Sequence, residues 1–415
     1  MRIHAFTGYR YTAAAGDPDV VGAPPFDQID EGLGEDLHAA SPYQFSHLTR
    51  PVAGAEGDVY RHAAALHQEW LTGGQVQRDD APSLYPYVIR VTDGTLRLGI
   101  CALIGVEPEG SGVIRPHEKT LDKPFADRLN LLRATRIDLE PVMFLSDDPG
   151  TLEPLIEEDI DAAEPLLAHE DASGNVHELY RISDPARIAR YKDVLEPCSA
   201  AIADGHHRYK VGRTYAEEVG AAPGTAAGSK MAVLFSMRSP HLVIDPIHRG
   251  LAEAPDLAPV HALLRQRRTV DVADGDALAA AVATANANEA PALGVLHRGD
   301  IPELWLLDPA RMPAVAPPGA DRLAVGHLHY VLLPAVDFPA EAALDGTVQY
   351  RASAANLWNQ VQDGTLELGI FLPPMTAPAF GKAISRGDLL PAKATRFLPK
   401  LASGLVWAGH DAALA

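Results

Sequence analysis

Residues 204–208, Asp-Gly-His-His-Arg, put a carboxylate, two imidazoles and a guanidinium within one turn of a predicted helix start. The flanks read as a buried strand over Ala200–Ala203, a tight turn at Asp204-Gly205 and a helix that begins at His206. A helix N-terminus already carries about half a positive charge from its unpaired N–H groups, so cations gathered there cost free energy unless an anion binds. Phosphate is the anion that fits. On this reading Asp204 caps the helix, Gly205 lets a phosphate approach the backbone, and Arg208 clamps two phosphate oxygens with its planar fork while His206 and His207 donate alongside. Two other readings stay open. One is a structural Asp-Gly turn with surface histidines; the other is a zinc site, disfavoured because adjacent helical side chains point about 100° apart.

Other segments carry groups of the same kind. In Arg115-Pro116-His117-Glu118-Lys119-Thr120, Glu118 can act as a general base toward a hydroxyl or hold magnesium, and His117 and Lys119 can neutralise phosphate charge. A solvated charged loop is the equal alternative. Asp245-Pro246-Ile247-His248-Arg249 closes a predicted strand, where scaffold-mounted groups commonly lie, and adds His248 and Arg249 as phosphate ligands, with a plain structural role equally open. Lys393, Arg396 and Lys400 make a basic island; Lys393 and Lys400 join the phosphate-binding candidates, against the competing reading of edge-strand protection. Arg133 and Arg136 border the apolar stripe of a helix predicted over 124–136 and complete the set.

These groups need a scaffold in which strands and helices intermix. A hairpin is predicted from Leu84–Val91 and Leu96–Val106 around Asp93-Gly94, with Pro86 marking an edge position for its first strand. Helices are predicted over Asp58–Leu71 and Asp184–Leu195, and a second hairpin over Lys230–Met237 and Leu242–Ile247. Residues 251–290 read as Ala-rich and helical. Later come strands over 292–296, 304–307 and 366–372, helices over 352–362 and 377–384, and short strands near 396–397 and 405–407. The class is α/β (mixed α+β) in two domains, residues 1–250 carrying the Asp204–Arg208 site and residues 251–415 forming the second.

At 415 residues with a formal charge of −20, the chain would be repelled at long range by nucleic acid and by anionic membrane. No general nucleic-acid binding and no membrane association are expected. The two cysteines, Cys101 and Cys198, support neither a disulfide framework nor a thiolate zinc site, and no signal peptide or apolar run is legible, so a cytoplasmic setting is expected. A homodimer is compatible with the sequence.

The motifs APPFD (23–27), SPY (41–43), RPHEKT (115–120), DRLNLLRATR (127–136), ADGHHRY (203–209), FLPP (371–374) and KATRFLPKLASGL (393–405) together resemble the bacterial and archaeal family called domain of unknown function 1015. ADGHHRY is also similar to the phosphate-binding motif of the ParB and sulfiredoxin superfamily, which includes ParB-type partition proteins and ADP-dependent free serine kinases. That resemblance implies a strand-turn-helix phosphate site in the N-terminal part, with Asp204, Gly205, His206, His207 and Arg208 in nucleotide binding and phosphoryl transfer. Phe26, Lys210 and Ala394 stand where family members usually have Tyr, Glu and Ser. Without a carboxylate at position 210, the base would have to be Asp204 or Glu118. The function expected is a phosphotransferase acting on a small molecule, serine-kinase-like, with ATP or ADP as donor and Mg2+ held by Asp204. The alternatives are a phosphatase acting on a small phosphate ester such as phosphoserine, and a non-enzymatic nucleotide-binding switch.

Overall fold

The computed structural model describes residues 1–53, 57–117, 123–161, 163–314, 316, 320–338, 347–384, 389–391 and 393–415. The chain divides into two compact units. The first takes Met1–Pro116, the chain on to Leu242, and Pro399–Ala415; the second takes Val243–Leu398 together with His117.

In the first unit, β1 (Ile3–His4), β2 (Tyr85–Arg90), β3 (Leu96–Gly105), β4 (Ile114–Arg115), β5 (Val142–Ser146), β6 (Leu167–Glu170), β7 (Val176–Leu179), β8 (Ala200–Asp204) and β9 (Ser229–Ser236) form one mixed sheet. Its order is β4-β8-β5-β9-β3-β2-β7-β6, with β1 paired to β3. β2 and β3 make the predicted hairpin, from Tyr85 opposite Cys101 to Arg90 opposite Leu96. Pro86 does not mark an edge, because β7 pairs with the other side of β2. That ladder runs only from Arg90 to Tyr87, so the proline lies just past its end, where its carbonyl still accepts from the Tyr180 amide at 2.9 Å.

Five helices matter for the site: α1 (Val59–Thr72), α2 (Lys123–Thr135), α3 (Leu152–Ile160), α4 (Pro185–Leu195) and α5 (His206–Glu218). Asp58 caps α1 and Asp184 caps α4, with proline at the first position of α4. Leu152, Ile156, Ile188, Tyr191 and Leu195 of α3 and α4 join Leu98, Ile100 and Ile104 of β3 in the main core, to which α5 contributes Tyr209. A different stripe of α5, Val211 and Tyr215 at i, i+4 spacing, meets Leu129 and Leu132 of α2. Burying each such side chain contributes about 1.5–3 kcal/mol, enough to fix α5 along most of its length. The C-terminal segment is anchored by Trp407, which is fully buried, donates to His67 Nε2 at 2.9 Å and packs on Tyr11 and Phe45. Ala408–Gly409 then pairs with Ile137–Asp138.

The second unit is built on an antiparallel sheet of β10 (His248–Leu251), β11 (Leu264–Thr269), β12 (Ala292–His297), β13 (Glu303–Leu307), β14 (Val348–Arg351) and β15 (Leu368–Phe371), in the order β11-β13-β12-β15-β10-β14. Helices α6 (Gly275–Asn288) and α7 (Ala354–Gln362) pack Leu278, Val282, Leu357 and Val361 into its core. The hairpin expected across 230–247 does not form. Its first run is β9 of the first unit, whereas Val243–Asp245 pairs with Arg396–Leu398 in the second, so the chain changes units between them. β11 lies inside a stretch the sequence reads as helical; its Arg265, Gln266 and Arg267 stay exposed at the sheet edge, so it lacks the apolar alternation that marks a strand. The architecture is thus mixed α+β, and no helix among the described residues is long and apolar enough to cross a membrane.

Candidate active site

β8 delivers Asp204 to the end of the sheet, and the chain turns through Gly205 into α5. Gly205 itself occupies the cap position, with φ 89° and ψ 31°. A Cβ there would lie 2.9 Å from Arg208 Nε, so the position excludes a side chain on both conformational and steric grounds. Gly205→Ala is expected to cost about 1–3 kcal/mol and to displace Arg208, which a shift in urea midpoint at constant slope will report.

Asp204 is the hub of an ion triad. Its Oδ2 accepts from Arg208 Nη2 at 2.6 Å and its Oδ1 from Lys400 Nζ at 2.5 Å. Burial works to raise its pKa, but the Arg208 and Lys400 cations outweigh it and hold the carboxyl at about 2. Arg208, only 6% exposed, spends Nη1 on the Pro141 carbonyl at 2.6 Å. His206 is buried and His207 half-buried on the same turn.

Four expectations are corrected by this geometry. Asp204 does not cap α5, because its oxygens face the two cations. Nor does it suit magnesium, which needs oxygen ligands with free lone pairs, whereas both Asp204 oxygens are committed to cations that would repel the metal. Among the described residues no group of three or more His, Cys, Asp or Glu side chains is arranged to hold a metal. A carboxyl held at about 2 is also too weak a base to take a hydroxyl proton near neutral pH. Finally, the Arg208 fork is not free to clamp a phosphate, since it is tied to Pro141 and Asp204. Arg208 is instead an anchor that orients Asp204, and through it Lys400.

Beside the first turn of α5 lies a cavity of about 40 Å³, lined by charged groups from separate parts of the chain: Arg128, Asp138, Glu140 and Lys230, together with Arg208. Each is under a tenth exposed. Lys230 pairs with Asp138 and donates to the Glu140 carbonyl at 3.3 Å; burial pulls its pKa down despite that partner. Arg128 donates to the Thr49 carbonyl and to Asp127, with its guanidinium 4.2 Å from the Phe26 ring centre. Glu140 Oε1 accepts from the Phe26 amide and the Ser403 hydroxyl, each at 2.9 Å. The motif segments APPFD, DRLNLLRATR, ADGHHRY and KLASG therefore meet around Glu140 and Arg208.

Signals for these residues existed. Asp138 and Glu140 alternate with Ile137 and Leu139, which puts both carboxylates on one side of an extended segment. Lys230 is a lone cation opening an apolar strand, and buried charges are retained only with partners.

The remaining candidates lie elsewhere. Arg133 pairs with Glu218 at 2.6 and 3.0 Å, at the far end of α5, about 18 Å from its start. Arg136 is exposed, with φ 54°, and terminates α2. Both border the α2 stripe as expected, but on its solvent side, whereas Arg128 of the same helix turns inward. His117 belongs to the second unit, buried against Phe380 and Phe397 with Nε2 2.7 Å from Thr395 Oγ1. His248, also of the second unit, accepts from the Leu372 amide at 3.1 Å; burial and the Arg249 and Arg396 cations lower its pKa to about 4, so it is neutral near pH 7. Arg249 is 1% exposed, donates to the Ile247 and Lys393 carbonyls and to His329, and stacks on Tyr350. Lys393 is exposed with φ 56°. Glu118 and Lys119 lie outside the described residues.

No curated protein matches the chain. Among solved structures it is similar to free serine kinase in complex with AMP, at 13% identity over 74% of this chain and 92% of that one, with a TM-score of 0.37. It is similar also to a conserved hypothetical protein from Pyrococcus furiosus, at 11% identity over 72% of this chain and 90% of that one, TM-score 0.36. SbnI with C-terminal truncation from Staphylococcus aureus is another, at 13% identity over 72% of this chain and 84% of that one, TM-score 0.36. Residues 3–324, which span most of the motif set and the whole Asp204–Arg208 turn, match the family described as protein of unknown function (DUF1015), and the chain belongs to that family.

Proposed function

We propose that the protein is a phosphotransferase that receives the phosphates of a nucleotide at the Gly205 turn and passes one to the hydroxyl of a small acceptor. The observation that carries this reading is the convergence of Arg128, Asp138, Glu140, Arg208 and Lys230, all buried, around one cavity against the first turn of α5. Buried ionisable groups gathered at a cavity are costly and concentrate where charge must be handled. The cavity holds about three water-sized groups and excludes a nucleotide, so the nucleotide lies outside it and only the reacting end of the acceptor enters. Lys400, whose side chain is 20% exposed and has Asp204 as its carboxylate partner, is the cation with freedom to meet a phosphate oxygen. His206 and His207 add donors on the same turn, and the electropositive helix start favours the anion.

Calorimetric titration of ADP and of ATP, with and without magnesium, tests the reading. Saturable heat with at least one nucleotide is expected. Lys400→Met should weaken that binding by about tenfold or more, the loss of one charge-assisted contact, while the melting temperature moves by only a few degrees. Absence of heat with both nucleotides contradicts the reading.

A further inference from the structure

We propose that Glu140 is the general base of this reaction and that the cavity it borders takes the hydroxyl end of a small, polar acceptor; this rests on the phosphotransferase reading above. Glu140 is 5% exposed. Oε1 is fixed by the Phe26 amide and the Ser403 hydroxyl, whereas Oε2 meets no donor among the described residues. Glu140 lines the cavity, and a buried carboxylate with one oxygen pinned and the other without a described donor is placed to accept a proton. Thr49 lines the same cavity. Thr49 is 1% exposed, and its Oγ1 has no hydrogen-bond partner among the described residues. An unpaired buried hydroxyl costs stability and is retained where it serves a ligand. Arg128, Arg208 and Lys230 around these two groups make the site unsuited to an apolar occupant.

The step balances without a further reactant. Glu140 Oε2 takes the acceptor hydroxyl proton as that oxygen forms its bond to the terminal phosphorus of the nucleotide. The bond from that phosphorus to the bridging oxygen breaks, and the electron pair departs on the shortened nucleotide. The proton leaves Glu140 for solvent when the products go.

The test uses the full chain, ADP and ATP as donors, and L-serine, glycerol and ethanolamine as hydroxyl probes. With nucleotide present, at least one probe should raise the melting temperature of the unaltered protein, and Thr49→Val should remove about half of that rise or more while leaving nucleotide affinity within about threefold. Glu140→Gln keeps an acceptor for Phe26 and Ser403, so it should fold with nucleotide affinity within about threefold, yet transfer phosphate to that probe at least about a hundredfold more slowly, as followed by phosphorus NMR. Three results overturn the inference while leaving nucleotide binding intact: no probe stabilises the protein, a probe binds without transfer, or Glu140→Gln transfers within about tenfold of the unaltered rate. Failure of both nucleotides to bind would instead overturn the phosphotransferase reading itself.

Discussion

Lys230→Ala is expected to destabilise the first unit by about 3–5 kcal/mol, the largest single effect anticipated at the site. Lys230 and Asp138 are both under a tenth exposed and bonded to one another, so truncating the lysine leaves a buried carboxylate whose remaining partner among the described residues is the Met231 amide at 2.6 Å. The loss comes less from the attraction between the two charges than from stranding one of them away from water. Lys230→Met with Asp138→Asn should therefore recover much of the stability, because the asparagine oxygen can still accept from Met231 and no charge remains buried. Urea denaturation of both single variants and the pair measures the coupling. A Lys230→Ala loss below about 1 kcal/mol would mean that the pair is hydrated and exposed in solution.

The second large effect is a pH dependence. Asp204 titrates at about 2 in the folded protein, against an ordinary value of 3.8. Its folded pKa is depressed, so its contribution is fully present above about pH 4 and is lost as pH falls toward 2; it amounts to on the order of 2 kcal/mol. Asp204→Asn should be less stable than the unaltered protein near neutral pH, and the difference between their acid-denaturation curves should close across that window. Other carboxylates contribute to both curves, which is why the difference is the quantity to read. A difference that stays constant from pH 5 to about 2 would show that Arg208 and Lys400 do not hold the carboxylate in solution.

Much of the scaffold was legible because local rules and tertiary packing agree there. The Asp93-Gly94 hairpin, the helices predicted over 58–71 and 184–195 and the strand-turn-helix at 200–218 all follow from turn chemistry and periodicity in the sequence. The hairpin across 230–247 failed because periodicity does not reveal that two neighbouring strands serve different sheets. At the site, the Asp204–Arg208 motif was visible, but the roles assigned to it were not. A sequence shows that cations gather at a helix start; it does not show that Asp204 lies between Arg208 and Lys400, a residue 196 positions away. Helical spacing put Arg133 and Arg136 beside the apolar stripe, yet of the three arginines it is Arg128 that is enclosed, because its guanidinium meets the Phe26 ring and the Thr49 carbonyl. Glu140 was missed for a related reason. The alternation with Asp138 places its side chain on one face of the segment but does not show its partners, which arrive from residues 26 and 403.

Whether a phosphoryl group binds at the start of α5 is read from the change in backbone amide resonances when ADP or pyrophosphate is added to the isotopically labelled chain. The amides of Gly205, His206 and His207 are expected to move furthest and saturate together, with smaller shifts around Lys400. Saturating shifts confined to other segments, with 205–208 unmoved, would contradict binding there.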